Sequence, residues 1–225
     1  LIARVGLADH VEKAPARLSG GMRQRVALAR VLMEDRPIVL LDEPFANLDA
    51  QLRGELGTWC RAMIKAEGAA ALLVTHDRSE AMALADRIVV LSGQPGQVRQ
   101  SGSAQELYDT PSHADVARLM GSCLLLPARA SGSTARSALG DHTLKREAQG
   151  SVQLVIHSED LQLIPDQSGP LKIEHSHFEQ GAWLHRVRYN NEVLLHTNPT
   201  AIVASHARAE TLGPLWPLPT SDRDL

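Results

Sequence analysis

Ile38-Val39-Leu40-Leu41 is a run of four apolar residues that ends abruptly in two carboxylates, Asp42 and Glu43. A short apolar run closed by polar residues reads as a parallel strand buried on both faces. In open α/β sheets ligands lie beyond the carboxyl ends of the strands, so Asp42 and Glu43 stand where site residues are expected. Neighbours on an extended chain point to opposite sides. One carboxylate can therefore hold Mg2+ while the other faces a different atom, such as an attacking water.

A second device lies upstream. Leu18-Ser19-Gly20-Gly21 is a glycine-rich turn that feeds a stretch with helical spacing, Met22, Val26, Ala29 and Met33. Ser19 suits the cap of that helix. Gly20 and Gly21 let a ligand approach the backbone, and the first helical N–H groups favour an anion there. A third device follows: the apolar run Ala71-Leu72-Leu73-Val74 ends in Thr75-His76-Asp77.

Together these three resemble the ATP-binding subunits of ABC transporters. Leu18 to Met22 looks like the family's signature loop, Ile38 to Glu43 like its Walker B strand, Ala46-Asn47-Leu48-Asp49 like its D-loop, and His76 like its switch histidine. The resemblance implies two such subunits sandwiching two ATP molecules head to tail. Ser19, Gly20 and Gly21 would grip the γ-phosphate of the partner's ATP. Asp42 would hold Mg2+, Glu43 would act as general base on the attacking water, His76 would contact the γ-phosphate, and Asp49 would act across the dimer interface. Positioning and charge neutralisation would carry the phosphoryl transfer.

The 225 residues are 44% hydrophobic with a net charge of −3, which suits one or two domains. No run of about 18 apolar residues occurs, so no membrane span is expected. Residues 1–20 carry charges and no apolar core, so no signal peptide is expected; the first residue is Leu1, not Met, as in a fragment. Cys60 and Cys123 are the only cysteines and lie far apart, which fits a reducing compartment without a disulfide framework. Mild acidity and an aromatic content of 3% speak against nucleic-acid binding.

Along the chain, Leu1 to Gly6 reads as the end of a helix. Leu7 to Arg17 is a polar connector, and Asp49 caps a helix with the stripe Leu52, Leu56, Trp59 and Met63. A helix from Ser79 to Ala85 follows, then strands at Arg87–Leu91 and Val98–Ser101 around a turn at Gly93–Gly96, and short helices at Ala104–Tyr108 and Asp115–Met120. Composition changes near Gly121. Residues 129–150, rich in Ser, Ala, Gly and Thr, read as a loop or weakly ordered strands within an otherwise all-β tail. Its strands are expected at Val152–Ile156, Leu161–Ile164, Leu171–Glu174, Ala182–Tyr189 and Glu192–Thr197, with a hairpin turn at Tyr189-Asn190-Asn191-Glu192. Strands this short and evenly spaced suggest a small barrel or sandwich. The tail resembles the TOBE domain of import ATPases at Ser158–Leu163 and at Glu179–Tyr189. Its histidines, among them His175, His177, His185, His196 and His206, read as structural or solvated rather than metal-binding.

The fold expected is thus α/β: a partial P-loop NTPase domain over residues 1–120 and a small all-β, barrel-like domain over 121–225. The expected function is the ATP-binding and hydrolysing subunit of a solute importer at the cytoplasmic face of the inner membrane. Its cofactors would be ATP and Mg2+. Its partners would be a second nucleotide-binding subunit, transmembrane permease subunits and, indirectly, a periplasmic solute-binding protein. Leu124 to Arg129 resembles a stretch of ferric iron importers, which inclines the solute towards iron. No GxxxxGK[ST] occurs in the 225 residues. This chain alone is therefore expected neither to bind ATP tightly nor to hydrolyse it, and a non-catalytic remnant or regulatory module is the competing reading. A third, ABC-type DNA-repair or chromosome ATPases, fits less well, given the short gap from Gly21 to Ile38 and the β tail.

Overall fold

The structure is a computed structural model, and it describes residues 2–220 apart from Arg4, Asp35, Asn47, Gln94 and Pro95. The expected position of Asn47 in the D-loop and the tip of the Gly93–Gly96 turn lie outside the described residues. The chain packs as two compact units, Leu1–Ile88 and Val89–Leu225.

In the first unit, helix α1 (Gly20–Met33) precedes strand β1 (Ile38–Asp42), helix α2 (Ala50–Ala66), strand β2 (Ala70–Val74) and helix α3 (Arg78–Leu84). The strands β1 and β2 pair in parallel, Ile38 with Ala70 through Asp42 with Val74. Val39 and Leu41 enter a core with Leu28, Ala29, Leu56 and Cys60. Of the stripe expected on α2, Leu56 lies within this core and Leu52 and Trp59 pack against it, while Ile64 packs there in place of Met63.

Three expectations are corrected here. Strand β1 is buried on one face only: Ile38 is 64% and Leu40 70% exposed, beside Leu72 at 59% and Val74 at 53%. An apolar run requires a strand, but it cannot say how many layers cover it. Met33 is likewise exposed at the end of α1, where Leu28 joins Met22 and Ala29 in the core instead. The described residues Ile2, Ala3, Val5 and Gly6 form turns, not a helix end, with Gly6 N–H donating to Ala3 O.

The second unit opens with strands β3 (Ile88–Ser92) and β4 (Gln97–Gly102), which pair with each other. Helices α4 (Ala104–Asp109) and α5 (Ala114–Met120) follow, the first closed by a capping box between Ser103 and Glu106. Then come the long antiparallel strands β5 (Cys123–Ser137) and β6 (Gly140–His157), paired from Cys123–His157 to Ser137–Gly140. Residues 129–150, expected as a loop or weak strands, are the outer part of this hairpin, whose register shifts between Gly132 and Thr134. Its inward side is filled by Ala130, Ala135, His142 and Leu144, of which only Leu144 is large and apolar, so no apolar alternation shows.

The remaining strands are β7 (Leu161–Pro165), β8 (Leu171–Glu179), β9 (Ala182–Tyr189), β10 (Glu192–Asn198), β11 (His206–Thr211) and β12 (Trp216–Pro219). They do not close into the barrel that their spacing suggested. Two open sheets form instead, in the orders β12-β6-β5 and β10-β9-β8-β11-β7. The break comes after His157: β6 pairs with β5 and β12, whereas β7 leaves to pair with β11. The hairpin at Asn190-Asn191 forms as its sequence requires, with Asn190 in the left-handed region at φ 51°.

Candidate functional site

Ser19 has the extended backbone of an N-cap, and its Oγ accepts from Met22 N at 3.2 Å. Nothing lies within 4 Å of where a Cβ on Gly20 would stand. The head of α1 is thus fixed by its cap and open on the glycine side. Asp49 does the same for α2, with Oδ1 accepting from Leu52 N at 2.9 Å.

Asp42 and Val74 are register partners at the carboxyl ends of β1 and β2, and Asp42 is exposed. The next residue leaves the strand sharply. Glu43 has φ 47°, the left-handed region that a branched or bulky residue enters only at a cost of about 1–2 kcal/mol. Three contacts hold its backbone there: Glu43 N donates to Val74 O at 2.9 Å, Gln24 Nε2 on α1 donates to Glu43 O at 2.8 Å, and Ala46 N donates to the same oxygen at 3.2 Å. The carboxylate then meets His76, whose Nδ1 lies 2.6 Å from Glu43 Oε1. This hydrogen bond and the carboxylate's charge raise the His76 pKa above the ordinary histidine value. The imidazole is otherwise open to solvent, with 81% of the side chain exposed.

The turn carrying His76 is fixed from the other side. Asp77 Oδ1 caps α3 by accepting from Ser79 N and Glu80 N, so Asp77, not Ser79, starts that helix. Arg53, one turn into α2, donates from Nη1 to Asp77 Oδ2 at 2.5 Å and from Nη2 to Leu48 O at 3.1 Å. Its Nε lies 3.6 Å from buried Glu80, which accepts from Thr75 Oγ1 at 2.7 Å. Burial pushes the Asp77 pKa up, but the amides of Glu80 and Ser79 and the Arg53 guanidinium outweigh it and hold the carboxyl below its usual range.

Of the residues singled out in the sequence, the structure brings Glu43 and His76 into contact and puts Asp42 beside them. The polar contacts of Ser19 and Asp49 are those of helix caps, and neither they nor Gly20 and Gly21 join the Glu43–His76 pair by a hydrogen bond among the described residues. Gln24 and Arg53 were missed. Each is a polar residue set off its helix's apolar stripe, and only contacts spanning 19 and 24 positions reveal its place. In the β tail the exposed rings of His175 and His177 lie 5.5 Å apart, and no group of three or more His, Cys, Asp or Glu among the described residues could hold a metal ion.

An arrangement with a carboxylate poised against a protonatable imidazole at the ends of two parallel strands can polarise a water and answer its loss of a proton. Comparison with known proteins fits this. The ABC transporter family matches residues 1–46. An iron(III) import ATP-binding protein, FbpC 2 of Rhodococcus jostii, is 38% identical over 162 residues, covering 72% of this chain and 46% of that protein. FbpC 2 of Pectobacterium atrosepticum is 40% identical over 163 residues, covering 72% and 46%. The sulfate/thiosulfate import ATP-binding protein CysA of Mesorhizobium japonicum is 39% identical over 173 residues, covering 75% and 49%. The chain spans about half the length of these relatives.

Proposed function

We propose, from the premise that over these alignments the chain belongs to the ATP-binding family of ABC importers, that it is the carboxyl-terminal part of a subunit driving solute import by ATP hydrolysis. The observation that carries this reading is the contact between Glu43 and His76 at the strand ends, 33 positions apart in sequence. Residues 1–120 would be the later part of the nucleotide-binding domain and 121–225 a TOBE-like domain.

The residues present suit Mg2+ and ATP in part. Gly20 leaves open space at a capped helix head, and Asp42 is an exposed carboxylate able to take a hard cation. ATP would supply the phosphoryl group and Mg2+ the neutralising charge. Asp42 would hold the metal, and Ser19 with the amides of Gly20 and Gly21 would receive phosphate oxygens from a second subunit's nucleotide. Glu43 would take the proton of the attacking water, and His76 would stabilise the carboxylate and reach the γ-phosphate. Asp49, at the head of α2, would face the second subunit. The partners would be that subunit, membrane permease subunits and a solute-binding protein, and the place of work the cytoplasmic face of the membrane. Among the described residues no helix is long and apolar enough to cross one.

The test is to join this chain in frame behind a GxxxxGK[ST]-bearing amino-terminal half of an ABC importer ATP-binding subunit. Mg-ATP turnover is expected, falling by about a hundredfold or more in Glu43→Gln with nucleotide binding retained. A joined protein that binds ATP without turnover would refute the assignment. It would favour the second reading, a regulatory module, which the lack of a GxxxxGK[ST] in these residues supports. Ferric iron is the proposed solute, from the Leu124 to Arg129 stretch and the names of two of the relatives. Uptake of iron and of sulfate, measured side by side, decides between them.

A further inference from the structure

Glu43 and His76 sit on two different turns, and neither turn is held by the strand that delivers it alone. Glu43 departs from β1 in a left-handed conformation, and besides its amide's bond to Val74 O, the contact on its carbonyl from a distant side chain is that of Gln24. His76 lies between Thr75 and Asp77, and both of those are tied into one polar network. Thr75 donates to Glu80, Asp77 N donates to Thr75 Oγ1 at 2.9 Å, and Arg53 clamps Asp77. The same guanidinium holds Leu48 O, in the segment that leads to Asp49.

We propose that Gln24 and Arg53 are positioning residues that hold, from the second turn of α1 and the first turn of α2, the two backbone turns whose side chains meet as the Glu43–His76 pair. The proposal rests on the reading of Glu43 as base. Gln24 stands on the second turn of the helix that Ser19 caps, and Arg53 one turn beyond Asp49. The head of α1 carries residues assigned to a second subunit's nucleotide, and the head of α2 carries one assigned to face that subunit. A small rotation of either helix head on engaging the second subunit would therefore reach the base through one side chain. Gln24 does this by a single neutral hydrogen bond. Arg53 does it by a fork with two acceptors in fixed directions, a task for which Lys, as a point charge, is no substitute.

The test needs no nucleotide, so it fails or succeeds independently of ATP hydrolysis. Acylation of histidines by diethyl pyrocarbonate consumes the neutral imidazole, and peptide mass spectrometry resolves each site in dilute solution. The groups facing His76 are Glu43, Asp77 and Glu80, so its rate reports how those carboxylates are held. In the native chain His76 is expected to react several-fold more slowly at neutral pH than exposed His113. Gln24→Met keeps the bulk and helix preference of Gln while removing the donor; Arg53→Lys keeps the charge while removing the fork. Each is expected to raise the His76 rate several-fold, towards the rate in Glu43→Gln, and Gln24→Met added to Glu43→Gln is expected to raise it no further. Cys60, buried in the same unit, guards against a trivial explanation, since its thiol must stay unreactive. Should Gln24→Met expose Cys60, the milder Gln24→Asn, whose reach falls short by one methylene, is read in its place. Unchanged His76 rates in the variants at Gln24 and Arg53, with Cys60 protected and Glu43→Gln raising the rate, would overturn the proposal. So would a Glu43→Gln rate equal to the native one.

Discussion

His185 and His196 stand directly opposite each other on β9 and β10, and both are buried. Ser176 Oγ lies 2.7 Å from His185 Nδ1, and Ser158 Oγ lies 3.3 Å from His196 Nδ1. Burial lowers both pKa values, and for His196 the neighbouring imidazole adds to this. A histidine whose folded pKa is depressed contributes stability that is present above its unfolded value of about 6.5 and is lost as pH falls through the folded one. The sheet β8–β9–β10 is thus expected to lose protection as pH falls from about 6.5 towards the range where most carboxylates titrate. Amide exchange at Val187 and Leu194 measures it. Protection that holds or grows over that interval would contradict the assignment.

His76 has the opposite sign. Its folded pKa is raised by Glu43, so the pair's contribution is full below about pH 6.5, provided Glu43 is ionised, and is lost as pH rises through the elevated value. Glu43→Gln is expected to bring the His76 titration, followed by the ring proton resonance, back down towards the ordinary histidine range. A titration midpoint indifferent to Glu43 would show that the contact does not persist in solution.

Ser19 and Asp49 each satisfy an amide at a helix head. Ser19→Ala and Asp49→Ala are each expected to cost about 1 kcal/mol of stability in the first unit, with Ser19→Gly and Asp49→Gly costing only a few tenths. Urea unfolding followed through Trp59, which packs in that unit's core, distinguishes the pairs. Equal losses for Ala and Gly would mean that the side-chain oxygen is not acting as a cap.

The outer face of β1 and β2 presents Ile38, Leu40, Leu72 and Val74 to solvent. A flat apolar sheet face with open edges is a site of association. Sedimentation of the isolated chain is expected to show concentration-dependent oligomers, reduced in Leu40→Thr with Leu72→Thr, which pair across the ladder. A native chain monodisperse at all concentrations would refute this.

Residues 1–225 as they stand, without a GxxxxGK[ST] sequence, are expected to give no measurable Mg-ATP turnover. Calorimetric titration with Mg-ATP showing micromolar affinity, together with phosphate release, would contradict that.

Local signals were legible in the sequence. Ser19 and Asp49 as caps, the hairpin at Asn190-Asn191 and the strand ending in Asp42 each follow from a few adjacent residues. What depended on distant partners was not. The exposed side of β1 hinges on how many layers cover it, and the inward alanines of β5 carry no apolar alternation. Nothing near Asp77 marks it as the cap of α3 in preference to Ser79. The left-handed turn at Glu43 is held by Val74 and Gln24, 31 and 19 positions away.

That turn sets stability and chemistry against each other at one residue. Glycine enters the left-handed region freely, so Glu43→Gly would relieve backbone strain while deleting the carboxylate. Stability alone does not favour a glutamate in this conformation, and the strain it carries accords with the proposed role of its carboxylate. Screens that rank variants by thermal stability would therefore weigh the relieved turn against the lost Glu43–His76 contact and be blind to the loss of the proposed base.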